Sequence, residues 1–432
     1  MTKIYFLTMG CSTNQAESEA MAGLLKAAGF EITRKKEDAD VIVLNTCVVK
    51  GTQGALKNIN EINESLGENQ GLIIAGCLNK KAYKEYREIV PEASFINTDN
   101  IHNIKDVVEE TLNGNSVTLM STEEEVKLGF PRVRKNPYVA IIPICNSCVS
   151  NCAYCIVKSI KGKHLSYPKE TIIKEIREAL KEGVKEIWLT AQDTASYGMD
   201  SGKSQLPELV KEILQINSQF MLRIGMMNPA NLMPILYDMV EVYKDPRVFK
   251  FLHIPIQSGN NEVLEKMKRE YVAEDVLFIV NKFKESYPNI SIATDVICGF
   301  PGETESQFFE TVDFVRELFP AVINISRYQD IPGTASYKMD KELKVPGDAI
   351  KGRSKFITDV FINISKMNNE KWMDWEGTVI IDDKKEDWIG RNFAYKPIAI
   401  KSGGDLLGKV LKVKIVDHTP TSLIGTIIQM SK

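Results

Sequence analysis

The stretch YVAIIPICNSCVSNCAYC, residues 138–155, joins a run of apolar residues to a loop that contains four cysteines. The apolar part, Tyr138–Ile144, is typical of a buried parallel strand. The cysteines at the spacing CxxxCxxC are Cys148, Cys152 and Cys155. Three thiolates so spaced can bind one face of a 4Fe–4S cluster and leave the fourth iron without a protein ligand. The alternative is a structural zinc site in which Cys145 is the fourth ligand.

Further strands and helices alternate after this first strand. The predicted strands are Tyr138–Ile144, Glu186–Thr190, Met221–Gly225, Phe249–Ile254, Ser291–Ile297 and Val322–Tyr328. The helical stretches between them include Lys169–Lys181, Leu206–Ile216 and Glu305–Leu318. Six β/α units indicate an incomplete TIM-type barrel, a fold whose chemistry takes place at the carboxyl ends of the strands. The cysteine loop follows the first strand and so belongs to that face.

The first 115 residues form an earlier α/β series. Its predicted strands are Lys3–Met9, Val41–Asn45, Leu72–Ala75 and Ala93–Asn97. Its predicted helices are Gln15–Ala28, Thr52–Ser65, Lys80–Ile89 and Ile101–Leu112. Such alternation predicts a parallel sheet with helices on both faces. Cys11, Cys47 and Cys77 each lie at or just after the carboxyl end of a strand, where ligands bind in open α/β sheets. They are predicted to hold a second metal cluster; the alternative is three small buried side chains.

The end of the chain changes character after a helix predicted near Ala349–Trp372. The short strands predicted there are Gly377–Ile381, Lys396–Ile400, Val410–Val416 and Leu423–Gln429, with turns at Asp382-Asp383 and Ser402–Gly404. They indicate a small OB-like β-barrel. We therefore expect domains at 1–120, 131–368 and 369–432, with an acidic linker at Ser121–Lys127.

The net charge and the hydropathy of the chain bear on whether it binds nucleic acid or a membrane. The net charge is −3, which excludes a wholly basic nucleic-acid coat but not local RNA binding. The candidate RNA-binding residues, one set near the cysteine loop and one on the C-terminal strands, are Arg132, Arg134, Lys135, Lys161, Lys163, Lys409, Lys412 and Lys414. Because no apolar window approaches the length of a membrane helix, we predict a cytoplasmic protein without a membrane partner. A reducing compartment favours metal ligation over disulfides.

The cysteine motifs and the order of the domains resemble the methylthiotransferases of the radical S-adenosylmethionine (SAM) superfamily. The motifs that support the resemblance are GCSTN (Cys11), LNTCVV (Cys47), AGCLNK (Cys77), CAYC, LHIPIQSG, ATDVICGFPGET and the PGT at Pro332–Thr334. The resemblance implies an N-terminal three-cysteine domain, a radical SAM barrel and a C-terminal TRAM domain. It also implies two 4Fe–4S clusters, SAM as cofactor, a flavodoxin or ferredoxin as reductant and an unidentified sulfur donor. Such enzymes insert sulfur into an unactivated C–H bond and methylate it, consuming two SAM molecules.

Three segments are most similar to the archaeal and eukaryotic branch of that family. They are EIWLTAQDTASYG (186–198), GMMNP (225–229) and FLHIPIQSGNNEVLEKMKREY (251–271). This branch implies the conversion of N6-threonylcarbamoyladenosine beside the tRNA anticodon to its 2-methylthio derivative, with the anticodon stem-loop as partner. The alternatives are a methylthiotransferase for isopentenyladenosine or a ribosomal protein, and a cluster- or zinc-containing RNA-binding protein without catalysis.

The resemblance also suggests cofactor contacts, each with a structural alternative. Tyr154 is expected to contact adenine or the cluster, or to pack in the core. Gln192 and Asp193 correspond to the position that binds the methionyl amino group, or to a helix start. The other candidates are Arg223 for the SAM carboxylate or a surface ion pair, Gln257 for ribose or methionine, and Ile297 for adenine. Ser147 departs from the family, which usually has glycine before the first barrel cysteine.

Overall fold

The computed structural model describes residues 1–50, 52–121 and 125–430. No helix within these ranges combines the length and apolarity needed to cross a bilayer. Residues 122–124 of the predicted acidic linker lie outside the described residues. Lys127, the last residue of that linker, is buried and forms ion pairs with Glu17 and Asp99. This end of the linker is therefore packed into the protein.

The N-terminal sheet consists of β1 (Lys3–Thr8), β2 (Glu31–Thr33), β3 (Val41–Cys47), β4 (Gly71–Cys77), β5 (Ser94–Asn97) and β6 (Thr118–Leu119). Its helices are α1 (Ser12–Ala27), α2 (Thr52–Glu64), α3 (Lys80–Ile89) and α4 (Ile104–Leu112). All neighbouring strands are parallel, in the order β2-β1-β3-β4-β5-β6. Two apolar clusters, one on each face, bury every residue of β3. The predicted parallel α/β sheet is confirmed, although β2 and β6 are too short to give a periodic signal in the sequence.

The central region is an open barrel of parallel strands, with one antiparallel pair of two-residue strands beside it. The strands are β7 (Val139–Pro143), β8 (Cys145–Asn146), β9 (Leu165–Ser166), β10 (Glu186–Thr190), β11 (Met221–Ile224), β12 (Phe251–His253), β13 (Ser291–Cys298) and β14 (Val322–Arg327). The helices are α5 (Val157–Lys161), α6 (Lys169–Lys181), α7 (Leu206–Ile213), α8 (Pro229–Leu232), α9 (Leu236–Val242), α10 (Asn261–Lys266), α11 (Ala273–Ser286), α12 (Glu305–Leu318) and α13 (Gly347–Glu370). The barrel strands run β7-β10-β11 and β12-β13-β14, and a parallel bridge from Leu222 to Val248 connects the two groups. In the described chain no pairing joins β7 to β14, so the barrel is incomplete, as predicted.

The C-terminal barrel is closed and small. Its strands are β15 (Glu376–Lys384), β16 (Trp388–Arg391), β17 (Pro397–Ile400), β18 (Val410–His418) and β19 (Leu423–Met430). They are joined in the order β15-β16-β17-β19-β18. The turn predicted at Asp382-Asp383 is wrong, because β15 continues through it with a bulge and pairs with β16, a strand that was not predicted. Asp382 is polar yet buried, since its carboxylate accepts a hydrogen bond of 3.1 Å from Arg391 Nε.

The N-terminal sheet packs directly on the open barrel through α1. Ala16 of α1 lies in one apolar cluster with Val139 and Ile141 of β7. Gly23 permits the close approach of the chain after the linker, because a Cβ at this position would lie 1.8 Å from the carbonyl oxygen of Pro131. The two regions therefore meet along α1 with no spacer between them.

The C-terminal barrel packs at the opposite end of the open barrel. The Tyr395 ring lies 4.9 Å from Phe249 and 5.1 Å from Phe251, residues at the amino end of β12. Lys250 N donates a 2.7 Å hydrogen bond to the carbonyl oxygen of Phe393. The C-terminal barrel thus covers the amino ends of the strands and leaves the carboxyl ends to the cysteine loop.

Candidate active site

The cysteine loop lies at the carboxyl end of β7, as the sequence predicted. Cys148 and Cys152 are half-buried and Cys155 borders solvent. The loop is anchored by Ala153 N, which donates a 2.8 Å hydrogen bond to the carbonyl oxygen of Met267 beyond α10. Burial raises the pKa of the half-buried Cys148, and the nearby carboxylate of Asp193 adds to the rise. The barrel triad, defined as Cys148, Cys152 and Cys155, therefore needs a metal or another positive charge to ionise.

Arg269 supplies a positive charge beside this triad and was not predicted as a site residue. Its Nη1 lies 3.0 Å from Cys152 Sγ and 3.5 Å from Tyr154 Oη. Its Nη2 donates to Asn228 Oδ1 at 3.2 Å, and its Nε donates to Tyr271 Oη at 3.0 Å. The residue lies in the quoted segment LEKMKREY, but spacing alone does not show which of its basic residues turns toward the loop.

The position of Cys145 argues against the zinc alternative. Its Sγ points toward the carbonyl oxygen of Asp193 at 3.8 Å and Ser196 Oγ at 3.9 Å, inside the apolar core of the open barrel. Within the described ranges no three Cys, His, Asp or Glu side chains converge as ligands of a single metal ion. A cubane cluster has a different requirement, because each thiolate binds a separate iron. Three thiols on a loop without a fourth at hand fit that donor set.

Three of the predicted cofactor residues lie together near the barrel triad. Tyr154 and Ile297 border the same small apolar cluster as Ala153. Gln257 adopts φ of 64°, and its carbonyl oxygen accepts a 2.9 Å hydrogen bond from Ile297 N. Gln192 is half-buried, two residues beyond β10. These positions surround the carboxyl ends of the strands.

Asp193 differs from its predicted role. Its Oδ1 accepts hydrogen bonds from Ala195 N at 3.0 Å and Asn228 N at 2.9 Å, and its Oδ2 accepts one from Asn231 Nδ2 at 2.6 Å. The side chain is 1% exposed, so it is occupied by the protein rather than presented to a ligand. Asp193 caps a short 3₁₀ helix, which is the helix-start alternative. Through Asn228 it also supports Arg269.

Arg223 is likewise placed away from the cysteine loop. Its guanidinium lies over the rings of Trp188, Phe251 and Tyr395, at 5.3, 5.1 and 5.2 Å. It lines a cavity of about 410 Å³ between the open barrel and the C-terminal barrel. The expected contact with the SAM carboxylate therefore does not fit the observed geometry, and neither does the surface ion pair.

The cysteines of the first 80 residues meet at one edge of the N-terminal sheet. Cys47 and Cys77 are paired residues at the ends of β3 and β4, and Cys11 caps α1. Asn14 links them: its Oδ1 accepts from Cys11 Sγ at 3.3 Å and its Nδ2 lies 3.8 Å from Cys77 Sγ. A Cβ at Gly10, which has φ of 120°, would lie 2.9 Å from Cys47 Cβ. We call Cys11, Cys47 and Cys77 the N-terminal triad.

Two thiols of the N-terminal triad are shielded from solvent, whereas Cys11 is half-buried. Cys47 and Cys77 are 6% and 1% exposed. The hydrogen bond with the Cys47 thiol and burial together raise the pKa of Cys77 well above its usual range. Three clustered thiols of this kind fit a metal cluster better than three unrelated core residues, because buried thiolates require a compensating cation.

The two triads lie on either side of the junction between the N-terminal sheet and the open barrel. Ile156, which directly follows Cys155, packs with Ile160 into the apolar cluster that contains Cys47 and Cys77. The short helix α5 thus connects the barrel triad with the N-terminal triad by direct packing.

The basic residues predicted to bind RNA divide into two groups. Arg132 and Lys161 are buried, with side chains 3% and 2% exposed and paired with Glu175 and Glu17, so they present no charge to solvent. Arg134 is 10% exposed and paired with Glu182. These three placements correct the predicted basic lip. The residues that do present charge at the surface are Lys135, Lys163, Lys409, Lys412 and Lys414, the last within 3.0 Å of Asp374.

The segment around Lys135 is also farther from the cysteine loop than expected. Arg134 pairs with Glu182, which precedes β10, and Asn136 Nδ2 donates to the carbonyl oxygen of Asp382 in the C-terminal barrel. This segment therefore lies at the amino ends of the barrel strands. Of the surface lysines named above, Lys163 is the one next to α5 and the cysteine loop.

Family models match the two regions that contain the triads. The model described as "Radical SAM superfamily" matches residues 142–315, and the model described as "Uncharacterized protein family UPF0004" matches residues 3–97. Among solved structures, the radical S-adenosylmethionine methyltransferase TsrM from Kitasatospora setae superposes with a TM-score of 0.57 at 14% identity, covering 78% of this chain and 77% of that one. The cobalamin-dependent radical enzyme OxsB gives 0.51 at 11% identity, covering 83% and 56%. These likenesses show the fold, and a radical SAM domain supports an iron–sulfur cluster and SAM.

Full-length relatives are more informative. The threonylcarbamoyladenosine tRNA methylthiotransferase of Drosophila melanogaster is 36% identical over 99% of this chain and 78% of its own length. The probable enzyme of that name from Methanothermobacter thermautotrophicus is 36% identical over 98% and 99%, and the Homo sapiens enzyme is 36% identical over 96% and 72%. The resemblance drawn from the motifs is confirmed, and the chain belongs to the threonylcarbamoyladenosine tRNA methylthiotransferase family.

Proposed function

We propose that this chain converts N6-threonylcarbamoyladenosine beside the tRNA anticodon to its 2-methylthio derivative by radical thiomethylation, consuming two SAM molecules. The observation that supports the proposal most strongly is the meeting of two thiol triads at one junction, with α5 packed between them. A radical generator alone needs one triad, whereas radical formation combined with sulfur transfer needs two. The relatives named for this reaction are similar over nearly the whole chain.

We further propose that each triad binds a 4Fe–4S cluster, with SAM at the open iron of the barrel cluster. When bound, these groups supply a 5′-deoxyadenosyl radical on the barrel side and a methylated sulfur on the N-terminal side. The residues around the two triads orient these bound groups and shield them from solvent. Arg269 places its guanidinium against Cys152, while Tyr154, Gln257 and Ile297 surround the space available to adenosine and methionine. A flavodoxin or ferredoxin is the proposed reductant.

For the tRNA, we propose contacts through the surface lysines. Lys409, Lys412 and Lys414 lie on the C-terminal barrel at the amino ends of the open barrel, and Lys163 lies near the cysteine loop. We retain 1–120, 131–368 and 369–432 as the proposed domains and the cytoplasm as the proposed location.

The test is expression in cells that lack their own enzyme, followed by mass spectrometry of tRNA nucleosides. The expected product is 2-methylthio-N6-threonylcarbamoyladenosine, absent from cells with the empty vector. Methylthiolated isopentenyladenosine in place of that product would contradict the substrate, and a lack of any methylthiolated nucleoside with both clusters loaded would contradict the reaction.

A further inference from the structure

The junction between the N-terminal sheet and the open barrel buries a group of charged side chains. Glu17, Asp99, Lys127 and Lys161 have side chains that are 1–3% exposed. Lys127 Nζ lies 3.4 Å from Glu17 Oε1 and 3.3 Å from Asp99 Oδ1. Lys161 Nζ lies 3.3 Å from the same Glu17 oxygen. Burying an ion costs free energy unless an opposite charge lies beside it. The burial of two lysines and two carboxylates at this junction therefore calls for an explanation.

Lys161 enters this group from the barrel side. It is the last residue of α5, and its backbone is fixed by the residues that precede the barrel triad. Asn146 Nδ2 donates to the carbonyl oxygen of Lys161 at 3.2 Å, and Ser147 Oγ donates to that of Gly162 at 2.7 Å. The position of the ammonium group therefore depends on the same loop that supplies Cys148.

Through its ion pair with Glu17, the ammonium group contacts α1, the helix that Cys11 caps. Glu17 lies on α1 three residues after Asn14, the residue that contacts both Cys11 and Cys77. Ile160, the residue before Lys161, packs in the apolar cluster that contains Cys77.

The positive charge of Lys161 is only partly compensated by the carboxylates of the junction. Within the described ranges Glu17 is the one carboxylate in an ion pair with Lys161, and it is shared with Lys127. The other oxygen of Glu17, Oε2, is buried without a hydrogen-bond partner. Lys161 therefore shares one carboxylate oxygen with a second ammonium group, and that carboxylate belongs to the helix that Cys11 caps.

We propose that Lys161 acts across the junction on the N-terminal iron–sulfur cluster and raises its reduction potential through a buried ammonium group paired with Glu17 on the helix that Cys11 caps. Reduction adds a negative charge to a cluster, so a fixed cation nearby stabilises the reduced form. The inference rests on the proposed function, because it requires a cluster at the N-terminal triad. Its consequence is that the barrel tunes both metal centres, with Arg269 at one and Lys161 at the other.

The test isolates the N-terminal cluster in a Cys148→Ala, Cys152→Ala, Cys155→Ala background and measures its reduction potential by EPR-monitored titration. Lys161→Met is expected to lower the potential, and Lys161→Arg to restore most of it. Glu17→Gln removes the shared carboxylate and is expected to shift the potential in the opposite direction, upward. Lys163→Met is the matched control: this lysine is exposed two residues away, and its loss should leave the potential unchanged.

Iron content separates the possible failures. A background protein that binds no iron contradicts the N-terminal cluster and this inference with it. A loaded cluster whose potential is the same in Lys161→Met and Lys163→Met contradicts the role of Lys161 alone. If Lys161→Met does not retain the cluster, Lys161→Gln decides: a potential below that of the background protein supports the inference, and an unchanged or higher potential overturns it.

Discussion

The barrel triad and the N-terminal triad contain the same three thiols but are assembled in different ways. The barrel triad lies on one loop, and its spacing is visible in the sequence. The N-terminal triad combines a helix cap with the ends of two strands, and it exists because the register places Cys47 opposite Cys77. A local motif needs a loop of the right length, whereas a dispersed one needs a complete sheet. Damage to the fold should therefore disturb the N-terminal triad first.

The electrostatic surroundings of the two triads also differ. Arg269 contacts Cys152 directly at 3.0 Å and is held by Asn228 and Tyr271. Lys161 reaches the N-terminal triad through a buried group of charges shared with Glu17. Both cations come from the open barrel, and the two regions pack through α1 and α5 without a spacer.

The largest expected effect is the loss of radical formation when the barrel triad is removed. Cys148→Ala, Cys152→Ala, Cys155→Ala should abolish the reductive cleavage of SAM and lower the iron content from about eight to about four per chain. The remaining iron should stay because its ligands lie on the N-terminal sheet. Chromatography of 5′-deoxyadenosine and iron analysis measure both. Continued formation of 5′-deoxyadenosine would contradict the role of this triad.

Removal of the N-terminal triad should separate the two activities. Cys11→Ala, Cys47→Ala, Cys77→Ala is expected to retain SAM cleavage but to make no methylthiolated nucleoside, since we propose that a cluster at this triad carries the transferred sulfur. Nucleoside mass spectrometry and the 5′-deoxyadenosine assay are run on the same samples. Methylthiolated nucleoside at the wild-type level would show that the sulfur does not come from this triad.

Substitution of Arg269 tests the electrostatics of the barrel triad. Arg269→Met removes a charge next to Cys152 and should slow SAM cleavage roughly ten- to a hundredfold, because a charge-assisted contact contributes roughly 1.5–3 kcal/mol. Arg269→Lys should recover part of the rate, since it keeps the charge without the planar fork. Arg316→Met is the control, as Arg316 is an exposed residue of α12. Equal rates in Arg269→Met and Arg316→Met would rule out the proposed role.

Binding of tRNA should depend on a surface outside both triads. Removal of the C-terminal barrel would expose Phe249 and Phe251, which pack on Tyr395. Reversing the charge of surface lysines on that barrel is therefore the better test. Lys409→Glu with Lys412→Glu should raise the tRNA dissociation constant severalfold and flatten its salt dependence, because phosphate contacts release counterions. An anisotropy titration across a salt series measures both. The control pair Lys211→Glu and Lys244→Glu lies on the outer helical surface.

Identical affinities and salt slopes for the two charge-reversed pairs would mean that the C-terminal lysines do not contact RNA. Cleavage of SAM without tRNA should be unchanged in both pairs, because neither lies near a cysteine.

The smallest expected effect concerns Ser147, where this chain departs from the family. Ser147 adopts φ of 62°, a conformation that favours glycine, and its hydroxyl donates to the carbonyl oxygen of Gly162 at 2.7 Å. Ser147→Gly should leave the free energy of unfolding nearly unchanged, since relief of strain offsets the lost bond. Ser147→Ala keeps the strain and loses the bond, so it should be less stable by about 1 kcal/mol. Denaturant titration distinguishes them; equal stability of the two variants would contradict the strain.

Sequence periodicity predicted most of the fold because parallel strands buried on both faces are continuous apolar runs. Helices Lys80–Ile89, Lys169–Lys181 and Glu305–Leu318 begin and end where predicted. The errors arise where the local sequence does not show the tertiary contacts of a segment. The two-residue strand β6 has too few residues for a periodic pattern. Asp382-Asp383 is typical of a turn, and only the folded barrel shows that Arg391 compensates the buried Asp382 carboxylate.

The sequence is sufficient to predict the barrel triad, the strand ends that bear the N-terminal triad and the family, because these depend on spacing along the chain. Only the folded chain shows which polar side chains are bound by other parts of the protein. Asp193 is saturated by hydrogen bonds, and Arg223 lies among aromatic rings. Lys161, similar to Lys163 in the sequence, is buried against Glu17. Charge and residue type are local properties, whereas burial and pairing depend on elements that are distant in the chain.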